Sequence, residues 1–223
     1  IHQFLKDTLT EGMCLGFDGR TISGAEADTL KTLLGEKNIR FSVNEDLIGE
    51  VWEDRPPLSC QPVMELDVKW AGKTRQEKCS QIREKMQEKG ADLFILTSLD
   101  DIAWLINIRG NHIHCCPVVL SYLVMTTDSI HLFASEDAFS EKIRKSLQSE
   151  NIIFHPYNDI YTYVKTIPSG KTVYLSRAQV NSRLISNLPE DIRLIDGENL
   201  TLLPKAIKNP VEVANEKTAH IRD

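Results

Sequence analysis

Apolar and polar positions follow two periods along this chain, and the two periods separate predicted strands from predicted helices. The run 91–97 is apolar throughout, as expected for a strand that is buried on both faces. Further strands are predicted over 13–17, 39–43, 117–125, 129–134, 151–155, 172–175 and 192–194. Helical spacing predicts helices over 1–10, 24–35, 46–52, 74–89, 98–107, 138–148, 160–165, 179–186, 202–207 and from 209 onward. This alternation predicts an α/β fold with a mixed sheet flanked by helices.

Several residues are placed to begin or end these helices. Ser23 precedes one predicted helix and Ser98 begins another, so each is expected to cap its helix. Gly90 follows the helix 74–89 and is expected to end it, and the stem of Lys78 is expected to be buried on that helix. The segment 56–72 has three prolines and no clear period, which is typical of a linker.

Composition narrows the class of protein. The chain has 223 residues, is 41% hydrophobic and 26% charged, and carries a formal net charge of −6, which argues against a nucleic-acid partner. Its apolar runs are too short to cross a membrane, and the opening residues lack the pattern of a secretory signal. Five irregularly spaced cysteines favour a reducing compartment, so we expect a cytoplasmic protein. Because both ends lie in helical patterns, we expect a fragment.

The stretch 91–125 contains the candidate chemistry. His112, His114 and Cys116 alternate, so a strand would place all three on one face. Imidazole and thiolate groups suit zinc, but structural zinc usually has four ligands, and no second cluster is present in the sequence. A zinc site and a polar strand with small buried thiols both stay open.

Arg109 and Gly110 follow a predicted apolar helix directly. Gly110 is expected to adopt a positive φ and turn the chain, which would present Arg109. The guanidinium group suits an anion or carboxylate contact, and the alternative is a structural salt bridge to Asp100 or Asp101. Trp104 is expected to be a core residue or an interface anchor. The sequence contains no P-loop and no GxSxG, HExxH or GxGxxG motif, so residue chemistry alone indicates no complete active site.

The same stretch carries a resemblance to a known family. It resembles the middle domain of three-domain Xaa-Pro aminopeptidases, the aminopeptidase P group, whose N-terminal and middle domains are creatinase/prolidase-like. The matching residues are Leu99, Asp100, Ile102, Ala103, Trp104, Leu105, Asn107, Arg109, Gly110, Pro117, Val118, Ser121 and Tyr122. Three further segments, 16–23, 51–57 and 206–223, are similar to family segments in the same order. The segment 112–116 departs from the family, which commonly has Asn before the proline.

The resemblance implies a fold and a separate role for each domain. It implies one complete creatinase-N-terminal-like domain and part of a second: 1–59 as the end of domain I, 60–207 as domain II, and 208–223 as the start of a catalytic domain. In the family the catalytic domain has the pita-bread fold. It holds two divalent metal ions, usually manganese, through two Asp, one His and two Glu, all downstream of this chain. No catalytic or metal-binding residue is therefore assigned here.

The expected function follows from these domain roles. The resemblance implies the noncatalytic portion of a metal-dependent Xaa-Pro aminopeptidase, which acts on peptides with proline in second position and forms a homodimer. This portion is expected to shape substrate access and domain or dimer contacts. The alternative is a noncatalytic peptide- or protein-binding module with an inactive creatinase-like architecture. The residues expected to contact substrate or a neighbouring domain are Trp104, Arg109, Asn111, His112 and His114.

Overall fold

A computed structural model describes residues 1–222, so Asp223, the last residue of the predicted segment 208–223, lies outside the described residues. The strands are β1 Cys14–Gly16, β2 Arg40–Ser42, β3 Met64–Glu65, β4 Leu93–Leu96, β5 Ile108–Arg109, β6 Ser121–Met125, β7 Ile130–Ala134, β8 Ile152–His155, β9 Thr172–Leu175 and β10 Arg193–Asp196. The helices are α1 His2–Thr8, α2 Gly24–Leu34, α3 Leu47–Val51, α4 Val68–Ala71, α5 Arg75–Glu88, α6 Leu99–Leu105, α7 Glu141–Gln148, α8 Ile160–Tyr163, α9 Ser182–Ser186, α10 Leu202–Ala206 and α11 Pro210–Arg222. No helix within these residues is long and apolar enough to cross a membrane.

The chain forms two compact units, each of which draws on separate stretches of sequence. The first unit comprises 1–57, 161–167 and 177–190, and the second comprises 58–160, 168–176 and 191–223. The predicted domain ranges 1–59, 60–207 and 208–223 stay predictions.

The first unit contains a two-stranded parallel sheet, β1–β2, and the helix α2, whose first turn is capped by Ser23 as predicted. The segments 16–23 and 51–57, which are similar to family segments, each contribute an arginine that contacts the carboxylate of Asp46. Asp46 accepts hydrogen bonds from Arg20 at 2.5 Å and from Arg55 at 2.7 Å. The backbone N–H of Gly49, and then Arg55, lower the pKa of Asp46 to about 2.

The second unit is built on a six-stranded mixed sheet in the order β10-β9-β4-β6-β7-β8. Pairing is parallel between β10 and β9, β9 and β4, and β7 and β8, and antiparallel between β4 and β6 and between β6 and β7. All four residues of β4 are buried, as its apolar run predicts for a central strand. The predicted α/β fold with a mixed sheet flanked by helices is confirmed.

Helices α5, α6 and α7 complete the core of the second unit. Ile82 and Met86 of α5 lie in one apolar cluster with Phe94 and Leu96 of β4 and Leu105 of α6. Gly90 ends the α5 segment with φ +65°, as predicted.

Two expectations for the second unit were wrong. The segment 56–72, predicted as an irregular linker, contains the short strand β3, which pairs with β5, and the helix α4. These elements are too short for a period to show in the sequence. Ser98 makes no capping hydrogen bond to α6, because its hydroxyl group donates to the side chain of Asp100 at 2.7 Å instead.

Helix α5 begins with a side-chain cap and helix α6 does not, and this difference can be tested by measuring stability. The hydroxyl of Thr74 accepts from the backbone N–H of Glu77, whose side chain bonds back to Thr74, so α5 begins with a capping box. Thr74→Ala is expected to lower the free energy of unfolding by about 1 kcal/mol in urea denaturation. The matched control Ser98→Ala is expected to change it by less than about 0.5 kcal/mol. Equal losses in the two variants would contradict this assignment of the caps.

Candidate functional site

A cavity of about 440 Å³ lies in the second unit beside the C-terminal end of α6. Its size is within the range of small-ligand sites. The lining combines two tryptophans and other apolar groups with four cations and three carboxylates. The lining residues are Leu66, Trp70, Ala71, Lys78, Asp100, Ala103, Trp104, Arg109, Cys116, Pro117, Val118, Lys205, Lys208, Glu212, Asn215 and Glu216.

Lys78 brings a buried ammonium group to the wall of this cavity. The residue is 1% exposed, and its Nζ donates to the backbone oxygen of Trp104 at 2.9 Å and to Oδ1 of Asn107 at 2.7 Å. The same Nζ lies 4.6 Å from the centre of the Trp104 ring, a cation–π distance. Burial, joined by repulsion from Arg109, lowers the pKa of Lys78 to about 8. No carboxylate within residues 1–222 forms an ion pair with it.

Asn107 makes the turn between α6 and β5. Its φ is +51°, a left-handed conformation that Asn tolerates better than most residues. Its Nδ2 donates to the backbone oxygen of Lys73, and its own backbone oxygen accepts from Leu66. The predicted positive φ of Gly110 is wrong. Gly110 is instead required by close packing, because a Cβ there would lie 2.9 Å from Cγ2 of Val119.

Arg109 is held by backbone oxygens rather than by a carboxylate. Its Nη1 donates to Ala103 and Ile108, both at 2.8 Å. Burial lowers the pKa of Arg109, while the more distant charge of Glu212 opposes that shift. The alternative of a salt bridge from Arg109 to Asp100 or Asp101 is therefore wrong.

Asp100 and Asp101 are paired with Lys205 instead. The Nζ of Lys205 contacts Asp100, and it lies 2.7 Å from Oδ1 of Asp101, which is 2% exposed. Burial opposes both shifts, yet the hydrogen bond between Lys205 and Asp100 lowers the pKa of Asp100 and raises the pKa of Lys205. Both carboxylates lie in the first turn of α6, where they also complement the helix dipole.

The segment 112–116 is a turn, so the predicted strand with His112, His114 and Cys116 on one face is wrong. Cys116 donates its backbone N–H to Ile113 at 3.1 Å, and Cys115 has φ +58°. His112 is buried, with Nε2 at 2.8 Å from the backbone oxygen of Gln61 and Nδ1 accepting from the N–H of Leu120. Both of its ring nitrogens are thus occupied. Within residues 1–222 no group of three His, Cys, Asp or Glu side chains could hold a metal ion.

The structure separates the five predicted contact residues into two sets. Trp104, which is 7% exposed, and Arg109 line the cavity together. Asn111 and His114 are exposed on the adjacent turn, and His112 lies beneath it. Sequence reasoning missed the ammonium group of Lys78 as a site feature. The sequence feature that could have identified Lys78 is its position on the apolar face of α5. It lies one helical turn before Ile82 and two turns before Met86.

The sequence from 54 to 212 matches the family described as Creatinase/Prolidase N-terminal domain. The chain belongs to this family, and the match spans most of its length.

Two relatives show which larger proteins contain such a region. Over its whole length the chain is 36% identical to Xaa-Pro aminopeptidase 1 of Dictyostelium discoideum and 34% identical to Xaa-Pro aminopeptidase app-1 of Caenorhabditis elegans. It spans 37% of the length of each. The crystal structure of an X-prolyl aminopeptidase from C. elegans, described as a cytosolic enzyme with a di-nuclear active site, superposes with a TM-score of 0.89 at 29% identity. The match covers all of this chain and 37% of that one.

The two histidines of the turn are expected to differ in their effect on stability. His112→Ala removes a buried side chain that bonds to the backbone oxygen of Gln61 and the backbone N–H of Leu120, so it should lower the free energy of unfolding by about 1–3 kcal/mol. His114→Ala, at an exposed position, should change it by less than about 0.5 kcal/mol. Stoichiometric zinc that is lost equally in both variants, measured by elemental analysis, would restore the zinc hypothesis.

The lowered pKa of Lys78 predicts a pH dependence of stability. Between about pH 8 and 10 the amine of Lys78 is protonated in the unfolded chain and largely deprotonated in the folded chain. Because the unfolded state binds more protons, the contribution of Lys78 to the free energy of unfolding increases as the pH rises. The free energy of unfolding of the wild type relative to Lys78→Met should therefore increase over that window, by on the order of 2–3 kcal/mol. Parallel pH profiles of the two proteins in urea denaturation would contradict the shift.

Proposed function

We propose that this chain is the noncatalytic N-terminal and middle portion of a metal-dependent Xaa-Pro aminopeptidase. The observation that carries the proposal is similarity along the whole chain to proteins of that name, joined to a domain family that covers most of it. On this proposal the residues 1–59, 60–207 and 208–223 belong to domain I, domain II and the start of the catalytic domain. The longer protein removes the residue that precedes proline.

The reaction itself is assigned to residues outside this chain. The family reaction uses two divalent metal ions, for which we propose manganese, and the described residues do not fit that role, because they lack any group of three suitable ligands. No step of hydrolysis is therefore assigned to them. The cytoplasm is the proposed location and a homodimer the proposed assembly, in keeping with the description of the C. elegans enzyme as cytosolic.

The role proposed for this portion is to shape access to the catalytic site. Arg109 and Trp104 are fixed by backbone contacts and packing, yet both line an open cavity. Asn111 and His114 extend the same edge on an exposed turn, and His112 supports that turn from beneath. Such an edge can contact a peptide or a neighbouring domain without reorganising.

A second candidate is a noncatalytic peptide- or protein-binding module of the same architecture. The observation in its favour is that residues of this chain line the cavity and supply its cations. The two candidates differ in the residues expected beyond position 223 of the longer protein. Two Asp, one His and two Glu in the family's order support the enzyme, and their loss supports the module.

The direct test compares the 223-residue chain with the longer protein in an assay with Mn²⁺ and a peptide that has proline in second position. The longer protein is expected to release the first residue, and this chain alone to release none, because the metal ligands lie elsewhere. Arg109→Gln in the longer protein is expected to raise KM or lower kcat at least tenfold, while the matched variant Arg83→Gln, at a second arginine held by backbone oxygens, leaves both unchanged. Hydrolysis by the short chain, or none by the long one, would refute the proposal.

A further inference from the structure

Three of the four cations on the wall of one cavity form no ion pair within residues 1–222. One of the three, Lys208, is exposed and donates to the backbone oxygen of Lys205. The other two are Lys78 and Arg109. Lys78 bonds only to a backbone oxygen and an amide oxygen, and Arg109 only to two backbone oxygens. Within residues 1–222 neither forms an ion pair. Keeping these two like charges in a partly buried wall without a carboxylate in contact is costly, and an anion in the cavity would offset that cost.

The guanidinium group of Arg109 presents one free edge. Its Nη1 is fully used by Ala103 and Ile108, which fixes the plane of the group. The Nε and Nη2 atoms have no hydrogen-bond partner within the described residues, and neither is fully buried in a side chain that lines the cavity. This edge carries parallel N–H groups at the spacing of the two oxygens of a carboxylate.

The other lining residues restrict what can accompany the anion. The flat or apolar surfaces of Trp104, Trp70, Pro117 and Val118 favour an apolar or aromatic body. Lys205 is already neutralised by Asp100 and Asp101, so it adds little attraction.

The helix α11 adds Glu212 and Glu216 to the lining. Glu212 also acts on the charges of both Lys78 and Arg109 from beyond contact distance. These carboxylates disfavour a ligand with several negative charges. The combination selects a single carboxylate on an apolar body over a phosphate group.

We propose that this cavity is a carboxylate-binding site in which the Nε and Nη2 edge of Arg109 holds both oxygens and the rings of Trp104 and Trp70 contact the apolar body. The carboxylate is either the C-terminus of a short peptide or an acidic side chain. The choice of a peptide as its source rests on the proposed function, whereas the preference for a carboxylate does not.

Isothermal titration calorimetry of the 223-residue chain tests this site. The probes are 3-phenylpropionate, its neutral amide 3-phenylpropionamide, and inorganic phosphate. The carboxylate is expected to bind saturably with 1:1 stoichiometry, and the amide and phosphate at least tenfold more weakly. Arg109→Gln is expected to weaken 3-phenylpropionate at least tenfold, and Arg109→Lys to weaken it less. The control Arg83→Gln, which removes the same charge beside a different cavity, should leave binding unchanged.

The binding measurements distinguish a specific carboxylate site from nonspecific electrostatic or apolar binding. Equal binding of the amide, equal binding of phosphate, or unchanged binding in Arg109→Gln would each overturn the proposal. Thermal unfolding of every variant checks that it is folded. If Arg109→Gln does not fold, the affinity of Arg109→Lys for 3-phenylpropionate tests the proposal instead.

Peptides identify the source of the carboxylate. Ala-Ala-Phe with a free C-terminus binding more tightly than its amide indicates a peptide terminus. N-acetylated and amidated Ala-Glu-Ala binding more tightly indicates an acidic side chain. Carboxylate binding combined with no hydrolysis by the longer protein would refute the proposed enzyme while leaving this site in place.

Discussion

Lys78 brings a charged group into the interior of the second unit, and the backbone around it is arranged to satisfy that group. Its Nζ links helix α5 to the backbone oxygen of Trp104 in α6 and to the side chain of Asn107. The amide of Asn107 in turn holds the segment before α5 through Lys73. An unsatisfied ammonium group at 1% exposure would be severely destabilising, so these contacts must form together. The position of Arg109, two residues beyond Asn107, is a consequence of these contacts.

Most of the fold was predictable because the sheet is buried. The apolar runs of β4, β6 and β7 have the length of buried strands. The helices α5 and α7, which begin at the capping residues Thr74 and Ser140, carry helical spacing. The errors fall where local patterns are ambiguous. The alternating side chains of 112–116 fit a strand, but a tight turn with Cys115 at φ +58° forms instead. Gly110 serves close packing against Val119, which no pattern in the sequence distinguishes from a turn.

The candidate site was predictable in part. Arg109 and Trp104 stand out in the sequence as an arginine after an apolar helix and a tryptophan within it, and both line the cavity. The partner of Asp100 and Asp101 was not predictable, because Lys205 is distant in sequence and carries no motif. That pairing matters, because it leaves Arg109 without a carboxylate. Lys78 could have been found from its place on an apolar helix face, where a lysine is unexpected.

The result is a cavity wall on which Lys78 and Arg109 are both held by backbone oxygens. These hydrogen bonds fix the positions of both cations, which under the proposed function suits recognition of a partner. We propose that residues 109–118 contact a neighbouring domain or a substrate of the longer protein. Hydrogen exchange tests it most directly, by comparing this chain with a protein of the length of its relatives. The account predicts slower exchange of the amides at 109–118 in the longer protein and unchanged exchange in β8. Identical exchange at 109–118 in the two proteins would contradict it.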